Sequence, residues 1–296
     1  MATTDQLHVA NLFSMKDAVC LVTGGGTGIG LMASQALAAN GAKVYITSRR
    51  KHVLDNAANT HDPKSQEDSS LNGEIIPIGP CDVTSKTDLE NLVAEIEAKE
   101  SHLTLLVAAA GIAGPKGFPD TSDATQLKAN LWSEKVDDWN QTYNADVTSV
   151  FFSTVAFLPL LQRGVQRGHA ASVIVISSMS GMMRHSQAHF SYNAAKAATA
   201  HLSRMMSREF AKTGVRVNSI APGYFPSEMT MKESDERNKA EMPDEKVKDK
   251  GHEVPAGRSG TDEEMAMGVM FLARCGYVNG EVVKLDGGVM NEVGGG

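Results

Sequence analysis

Seven short apolar runs, each with a helix-like segment behind it, constrain this chain more than any other feature. They are AVCLVTG (18–24), AKVYITS (42–48), EIIPIG (74–79), LTLLVAAAG (103–111), ASVIVIS (171–177), VRVNSIAPG (215–223) and GEVVKLDGG (280–288). A strand with one wet face alternates apolar and polar residues. These runs are instead continuous and rich in β-branched residues, as strands covered on both faces require. The segments between them are amphipathic. In TDLENLVAEIEAKE, Leu89, Leu92, Val93 and Ile96 share a helix face, and Thr84 or Ser85 is placed to cap it. This alternation predicts an α/β fold, a doubly wound seven-stranded parallel sheet with helices on both faces. No Pro/Ser/Gly-rich linker interrupts it, so residues 1–296 read as a single domain. Two polar stretches break the rhythm. Residues 59–73 read as a surface loop. Residues 231–256 follow the sixth strand and read either as a lid or as a solvated connector.

Composition narrows the partners. The formal net charge of −7 argues against a broad nucleic-acid or anionic-membrane surface, which needs clustered Lys and Arg. The cysteines Cys20, Cys81 and Cys275 lie far apart, without a CxxC pair or a histidine cluster, so neither a disulfide framework nor a metal site is expected. The N-terminus shows no export signal, and nowhere do eighteen apolar residues run together. The expectation is a cytoplasmic protein that acts on small molecules.

The segment LVTGGGTGIGLMASQALAANGAKVYITSRR runs strand, glycine turn, helix, strand. Gly24, Gly28 and Gly30 leave room for a tight turn against a diphosphate, whose charge would sit at the positive end of the following helix. At the end of the second strand an NAD site usually offers Asp or Glu to the ribose 2′-hydroxyl. This chain offers Ser48, Arg49 and Arg50, which favour a 2′-phosphate and hence NADP(H). The alternative is that two arginines merely solvate a strand end.

Tyr192 and Lys196, in SYNAAKAA, stand four residues apart and project from one helix face. A phenol titrating near pH ~10 exchanges protons poorly at neutral pH, and a neighbouring ammonium lowers that value. The tyrosine then becomes a general acid or base. Such a pair alone also belongs to many surface helices. Here SVIVISS ends a buried strand with Ser177 and Ser178 just ahead of that helix. NSIAPGYFPSEMT follows the next strand with a Pro-Gly turn able to approach a nicotinamide.

Together LVTGGGTGIG, CDVT, LLVAAAG, VISSMSG, YNAAK, NSIAPG and KLDGG resemble the short-chain dehydrogenase/reductase family over nearly the whole length. A finer likeness, in TSVFFSTVAFLPLL and PGYFPSEMT, is to fungal enzymes similar to 3-oxoacyl-acyl-carrier-protein reductases. The resemblance implies a Rossmann fold and an NADP(H)-dependent oxidoreductase acting on a ketone or secondary alcohol. It implies that Tyr192 donates the proton, Lys196 lowers its pKa and binds the nicotinamide ribose, and Ser178 orients the carbonyl, with Ser180 as runner-up. Gly24, Thr27, Gly28, Ile29 and Gly30 would hold the diphosphate. Asp82 and Val83 would approach the adenine, and Ala109 and Gly111 the cofactor region. Pro222, Gly223, Phe225 and Ser227 would border the nicotinamide amide. A homotetramer or homodimer is implied as well, through helices that include the one carrying Tyr192.

Two positions depart from the family pattern. The usual Asn-Asn-Ala-Gly after the fourth strand is Ala108–Gly111 here, which removes hydrogen bonds but keeps a small turn. The asparagine that completes a catalytic tetrad is replaced by Asp146. Its main-chain carbonyl, which in the family holds a water linked to the lysine, is kept; its carboxylate adds a negative charge that opposes the phenolate. Two alternatives stay open: a redox-neutral task such as dehydration, isomerisation or cyclisation, and a non-catalytic NADP-binding sensor or scaffold. His185 and His189 precede Tyr192 and could line a substrate pocket, whereas His201 lies off the Tyr192 face. Met182, Met183, Met205 and Met206 are expected to fill apolar space. Substrate choice falls to residues 179–191 and 224–256, where Phe190, Tyr224 and Phe225 suggest an apolar or aromatic ligand.

Overall fold

The computed structural model describes residues 2–65, 73–248 and 253–293. Residues 66–72 of the expected surface loop and 249–252 of the second polar stretch lie outside them. All seven apolar runs form strands: β1 (Val19–Thr23), β2 (Lys43–Thr47), β3 (Glu74–Pro77), β4 (Leu105–Ala108), β5 (Ser172–Ile176), β6 (Arg216–Pro222) and β7 (Val282–Leu285). They pair in the order β3-β2-β1-β4-β5-β6-β7, every pair parallel. The chain reverses direction across the sheet between β1 and β4, so a crevice opens at their carboxyl ends, where doubly wound folds bind ligands.

The helices are α1 (Val9–Leu12), α2 (Gly28–Ala39), α3 (Lys51–His61), α4 (Lys86–Glu97), α5 (Ala124–Trp132), α6 (Val136–Tyr143), α7 (Ser149–Gln166), α8 (Phe190–Glu209), α9 (Glu228–Met231), α10 (Asp244–Lys248), α11 (Asp262–Arg274) and α12 (Val289–Glu292). Strand periodicity of two explains why the runs are continuous. Cys20, Val22, Val44, Ile46, Leu105, Val107, Ile174 and Ile176 point into one core with α2, α3 and α11. Their neighbours Leu21, Tyr45, Leu106, Val173 and Val175 point into a second core with α4 and α7, closed by Phe157. Helix α4 starts as expected, with Ser85 accepting from the Asp88 N–H at 3.2 Å and Leu89, Leu92 and Ile96 buried.

Between α6 and α7 lies a π-helical segment, Asn144–Thr148, which makes Val136–Gln166 one unbroken helical run. That run is long and apolar enough, by length and composition alone, to cross a bilayer. Half of its apolar window is buried, with Phe157, Leu160 and Leu161 sealed in the second core.

Candidate active site

The glycine turn after β1 is built for close approach. Gly24 and Gly28 adopt φ of +68° and +50°, which side-chain-bearing residues rarely adopt. A methyl group at Gly30 would stand 2.2 Å from the Gly24 carbonyl oxygen, so a glycine there lets α2 begin against the strand. Thr27 occupies the N-cap without any side-chain capping bond. The first-turn N–H groups of α2, which include those of Gly28, Ile29 and Gly30, are therefore left uncapped by the Thr27 side chain and suit a diphosphate. Behind the turn, Ala109 N–H donates to Thr23 O at 3.2 Å and Ala110 N–H to Thr23 Oγ1 at 3.4 Å. The Ala-Ala-Ala-Gly variant thus stays tied to β1 through its own N–H groups, one to the Thr23 carbonyl and one to the Thr23 hydroxyl.

At the end of β2 the two arginines have separate partners. Arg50 forms a forked ion pair with Glu228, at 2.6 Å to Oε2 and 3.4 Å to Oε1, across the cleft. Ser48 Oγ accepts from the Arg50 N–H. Arg49 lies near Asp82. Partial burial opposes ionisation of Asp82, but donation from the Thr84 hydroxyl and N–H, together with the Arg49 charge, holds its pKa below the usual carboxylate value. Val83 is half-buried against the second core. The sequence places Phe225 at the cofactor, but its ring is buried in the first core. A methyl group at Gly260 would touch that ring, so at most the Phe225 main chain borders the groove. Gly223 N–H is held by Leu285 O at 2.7 Å, which fixes the Pro222-Gly223 turn at the end of β6.

Tyr192 and Lys196 lie on α8 as expected. The Lys196 ammonium is 5.6 Å from the centroid of the Tyr192 ring and donates to Ile176 O at the end of β5, at 3.1 Å. Burial pushes the Tyr192 phenol above its ordinary pKa; Lys196 pulls it down, Asp146 pushes it up, and the Ser178 hydroxyl pulls it down. The lysine therefore acts in the expected direction, but burial outweighs it. Ser178, not Ser180, acts on the phenol. Ser180 Oγ donates to Gln187 Oε1 at 3.0 Å, and Gln187 Nε2 donates to the Tyr224 hydroxyl. The His189 ring meets Tyr192 edge-on at 6.4 Å between centroids, with its Nδ1 3.1 Å from Ala113 O.

Asp146 sits in the π-helical segment, fully buried. Its Oδ1 accepts from Ile112 N–H at 2.9 Å and lies 3.9 Å from Lys196 Nζ, while Oδ2 has no hydrogen-bond partner among the described residues. Its main-chain carbonyl accepts from the Thr199 hydroxyl at 2.7 Å. Burial raises the carboxyl pKa, with Lys196 and the Ile112 N–H opposing.

Several residues near the site escaped sequence reading. Asn238, in the second polar stretch, is buried and donates to Gly26 O at 3.1 Å and Val53 O at 2.9 Å, while accepting from Asn56 at 2.8 Å. His61 Nε2 lies 2.7 Å from Arg237 O, and Gln35 Nε2 lies 3.0 Å from His61 Nδ1. Asn238 thus docks this stretch beside the glycine turn, while the side chains of Asp235, Glu236 and Arg237 stay exposed. Nothing in the charge pattern signals this. Met205, expected to fill apolar space, is exposed; Met206 takes the buried place.

Residues 18–238 match the family model described as short chain dehydrogenase. The chain is 39% identical over 297 residues to the short-chain dehydrogenase/reductase PhomF of Diaporthe leptostromiformis, covering 97% of this chain and 96% of that protein. It is 34% identical over 278 residues to a rhamnolipids biosynthesis 3-oxoacyl-acyl-carrier-protein reductase of Pseudomonas aeruginosa, covering 93% and 97% respectively. A solved Pseudomonas aeruginosa RhlG/NADP active-site complex superposes with a TM-score of 0.77 at 31% identity, over 94% of this chain and 98% of that one. The match covers most of the chain, and this chain belongs to the short-chain dehydrogenase family.

Proposed function

We propose that this protein is an NADP(H)-dependent oxidoreductase that interconverts a ketone and a secondary alcohol on a small apolar, polyketide-like substrate. The observation that carries this reading is the Lys196 ammonium, fixed by Ile176 O and set beside the Tyr192 ring with Ser178 acting on the same phenol. The N-terminal half of the domain would bind the cofactor, through the first-turn N–H groups of α2 for the diphosphate and Ser48, Arg49 and Arg50 for the 2′-phosphate. The C-terminal half, with loop 224–256, would hold the substrate. When bound, the nicotinamide supplies or accepts the hydride.

The chain's own residues handle the proton. Ser178 orients the substrate oxygen, and Tyr192 Oη donates a proton to it as negative charge develops there. Lys196 stabilises the phenolate left behind. The Asp146 main-chain carbonyl, tied by Thr199, holds the helix against the lysine. Support for an acyl ketone comes from the likeness to the Pseudomonas 3-oxoacyl-acyl-carrier-protein reductase, and support for NADP from the likeness to the solved RhlG/NADP complex. Phe190, partly exposed at the start of α8, suits an apolar substrate. Exposed Phe151, Val155 and Met205 on α7 and α8 suit assembly into a homodimer or homotetramer, and a monomer mass by light scattering would reject it.

The test is Tyr192→Phe. Ketone reduction should be lost while NADPH binding, read by titration calorimetry, persists. Turnover at the wild-type rate would overturn the assignment.

A further inference from the structure

Asp146 is more than a holder of main chain. Its side chain is fully buried, and one carboxylate oxygen is unpartnered among the described residues. A methyl group at Gly111 would stand 2.5 Å from Asp146 Oδ1 and 3.4 Å from Lys196 Nζ, so the turn after β4 closes tightly over the pair. In so dry a setting charges interact strongly. The geometry points to the Asp146 carboxylate as a positioning residue: it anchors the Lys196 ammonium and, as a buried negative charge, keeps the Tyr192 phenol protonated to higher pH than the lysine alone would allow. This rests on the reductase reading above and deepens it. A protonated phenol is the donor for carbonyl reduction, and a phenolate is the acceptor for alcohol oxidation. A carboxylate at this position therefore widens the pH range of reduction upward and moves oxidation to more alkaline pH.

The neighbours are few. Lys196 on α8 is the charged side chain that acts on Asp146, the loop after β4 contributes the Ile112 N–H, and α6 and α7 add no titratable group acting on it. Lys196, Asp146 and the Ser178 hydroxyl act on the Tyr192 phenol, and the His189 ring meets the Tyr192 ring edge-on. Burial, together with the Lys116 charge, depresses the His189 pKa and keeps its ring neutral at neutral pH. Asp146 is thus the negative charge acting on the phenol.

Asp146→Asn keeps the shape and removes the charge. The phenolate absorbance of Tyr192 in the full chain without ligand, isolated by subtracting the Tyr192→Phe titration, should move down by about one pH unit, the usual scale of one neighbouring charge. The alkaline limb of kcat/KM for ketone reduction should move down with it, with KM little changed. Midpoints that stay within a few tenths of a unit, or that rise, would overturn the inference, as would a loss of rate with an unmoved profile. Should Asp146→Asn fail to fold, Asp146→Ser takes its place: a Tyr192 midpoint below that of wild type supports the inference, and one that is unmoved or higher overturns it. If no ketone is reduced, the reductase reading fails while the absorbance titration still reads this one.

Discussion

Replacing Lys196 with Met should destabilise the fold in a pH-dependent manner, because of what the lysine leaves behind. The two side chains of the pair are 6% and 0% exposed, with Oδ1 and Nζ 3.9 Å apart. Removing one member of a buried pair costs about 3–5 kcal/mol, because the survivor becomes an uncompensated charge. Asp146 would keep a single N–H donor, from Ile112. At about 2–4 °C per kcal/mol for a domain of this size, the melting temperature near pH ~8 should fall by about 6–20 °C. Burial already raises the folded-state pKa of Asp146 against the opposition of Lys196, and losing the lysine raises it further. A carboxyl whose folded pKa exceeds its unfolded value contributes stability that is fully present below the unfolded value and is lost as pH rises through the folded one. The deficit of Lys196→Met should therefore shrink on acidification. A residue of about 1 kcal/mol should persist at every pH from the lost bond to Ile176 O. Thermal melts of wild type, Lys196→Met, Asp146→Asn and the double variant across pH give the coupling directly. At pH ~8 the double variant should be more stable than Lys196→Met. A deficit flat with pH, together with additive single effects, would refute the coupled pair.

Three further outcomes are expected. Arg49→Asp combined with Arg50→Ala should weaken NADPH binding by about 10- to 100-fold, the worth of one or two charge-assisted hydrogen bonds, while leaving NADH within a few fold; Glu228→Gln, which frees Arg50 from its ion pair, should instead strengthen NADPH binding, and calorimetry reads both. Gly30→Ala should destabilise by about 1–3 kcal/mol or more and abolish dinucleotide binding, since its methyl meets the Gly24 carbonyl oxygen at 2.2 Å; urea melts and fluorescence titration check it. Asn238→Ala strands the buried Gly26 carbonyl, removes a second bond to Val53 O and should cost about 1–3 kcal/mol, with limited proteolysis cutting residues 232–248 sooner than in wild type.

What the sequence made legible follows physical range. Each buried parallel strand announces itself within its own residues, because both faces need apolar side chains, and the Ser85 cap and the i, i+4 placement of Tyr192 and Lys196 are equally local. The features that escaped notice depend on distant neighbours. Glu228 reaches Arg50 across 178 residues, and Asn238 reaches Gly26 across 212. Asp146 could be recognised as a departure from a pattern. Its bond to the Ile112 N–H, 34 residues away, and the closure of Gly111 over it needed the fold. Phe225 misled for the same reason: a loop position next to a ligand motif says nothing about which way the ring turns.

The exit of β6 and the glycine turn are one mechanical unit. Ser227 Cβ lies 2.9 Å from where a Gly28 methyl would be, Glu228 holds Arg50 at the end of β2, and Asn238 satisfies the carbonyls of Gly26 and Val53. The Ser227–Thr230 capping box fixes the direction in which Glu228 leaves α9. A buried carbonyl without a donor costs about 1–3 kcal/mol, so residues 227–239 cannot lift away from the turn piecemeal without stranding the Gly26 carbonyl and breaking the bond to Val53 O. His61 reinforces this by bonding the Arg237 carbonyl while its other nitrogen accepts from Gln35. Burial lowers the His61 pKa, so the imidazole stays neutral and keeps the acceptor that Gln35 needs. The segment proposed to border the substrate is therefore held by the same main chain that would grip a diphosphate, and a change in either is felt by the other through a short run of contacts.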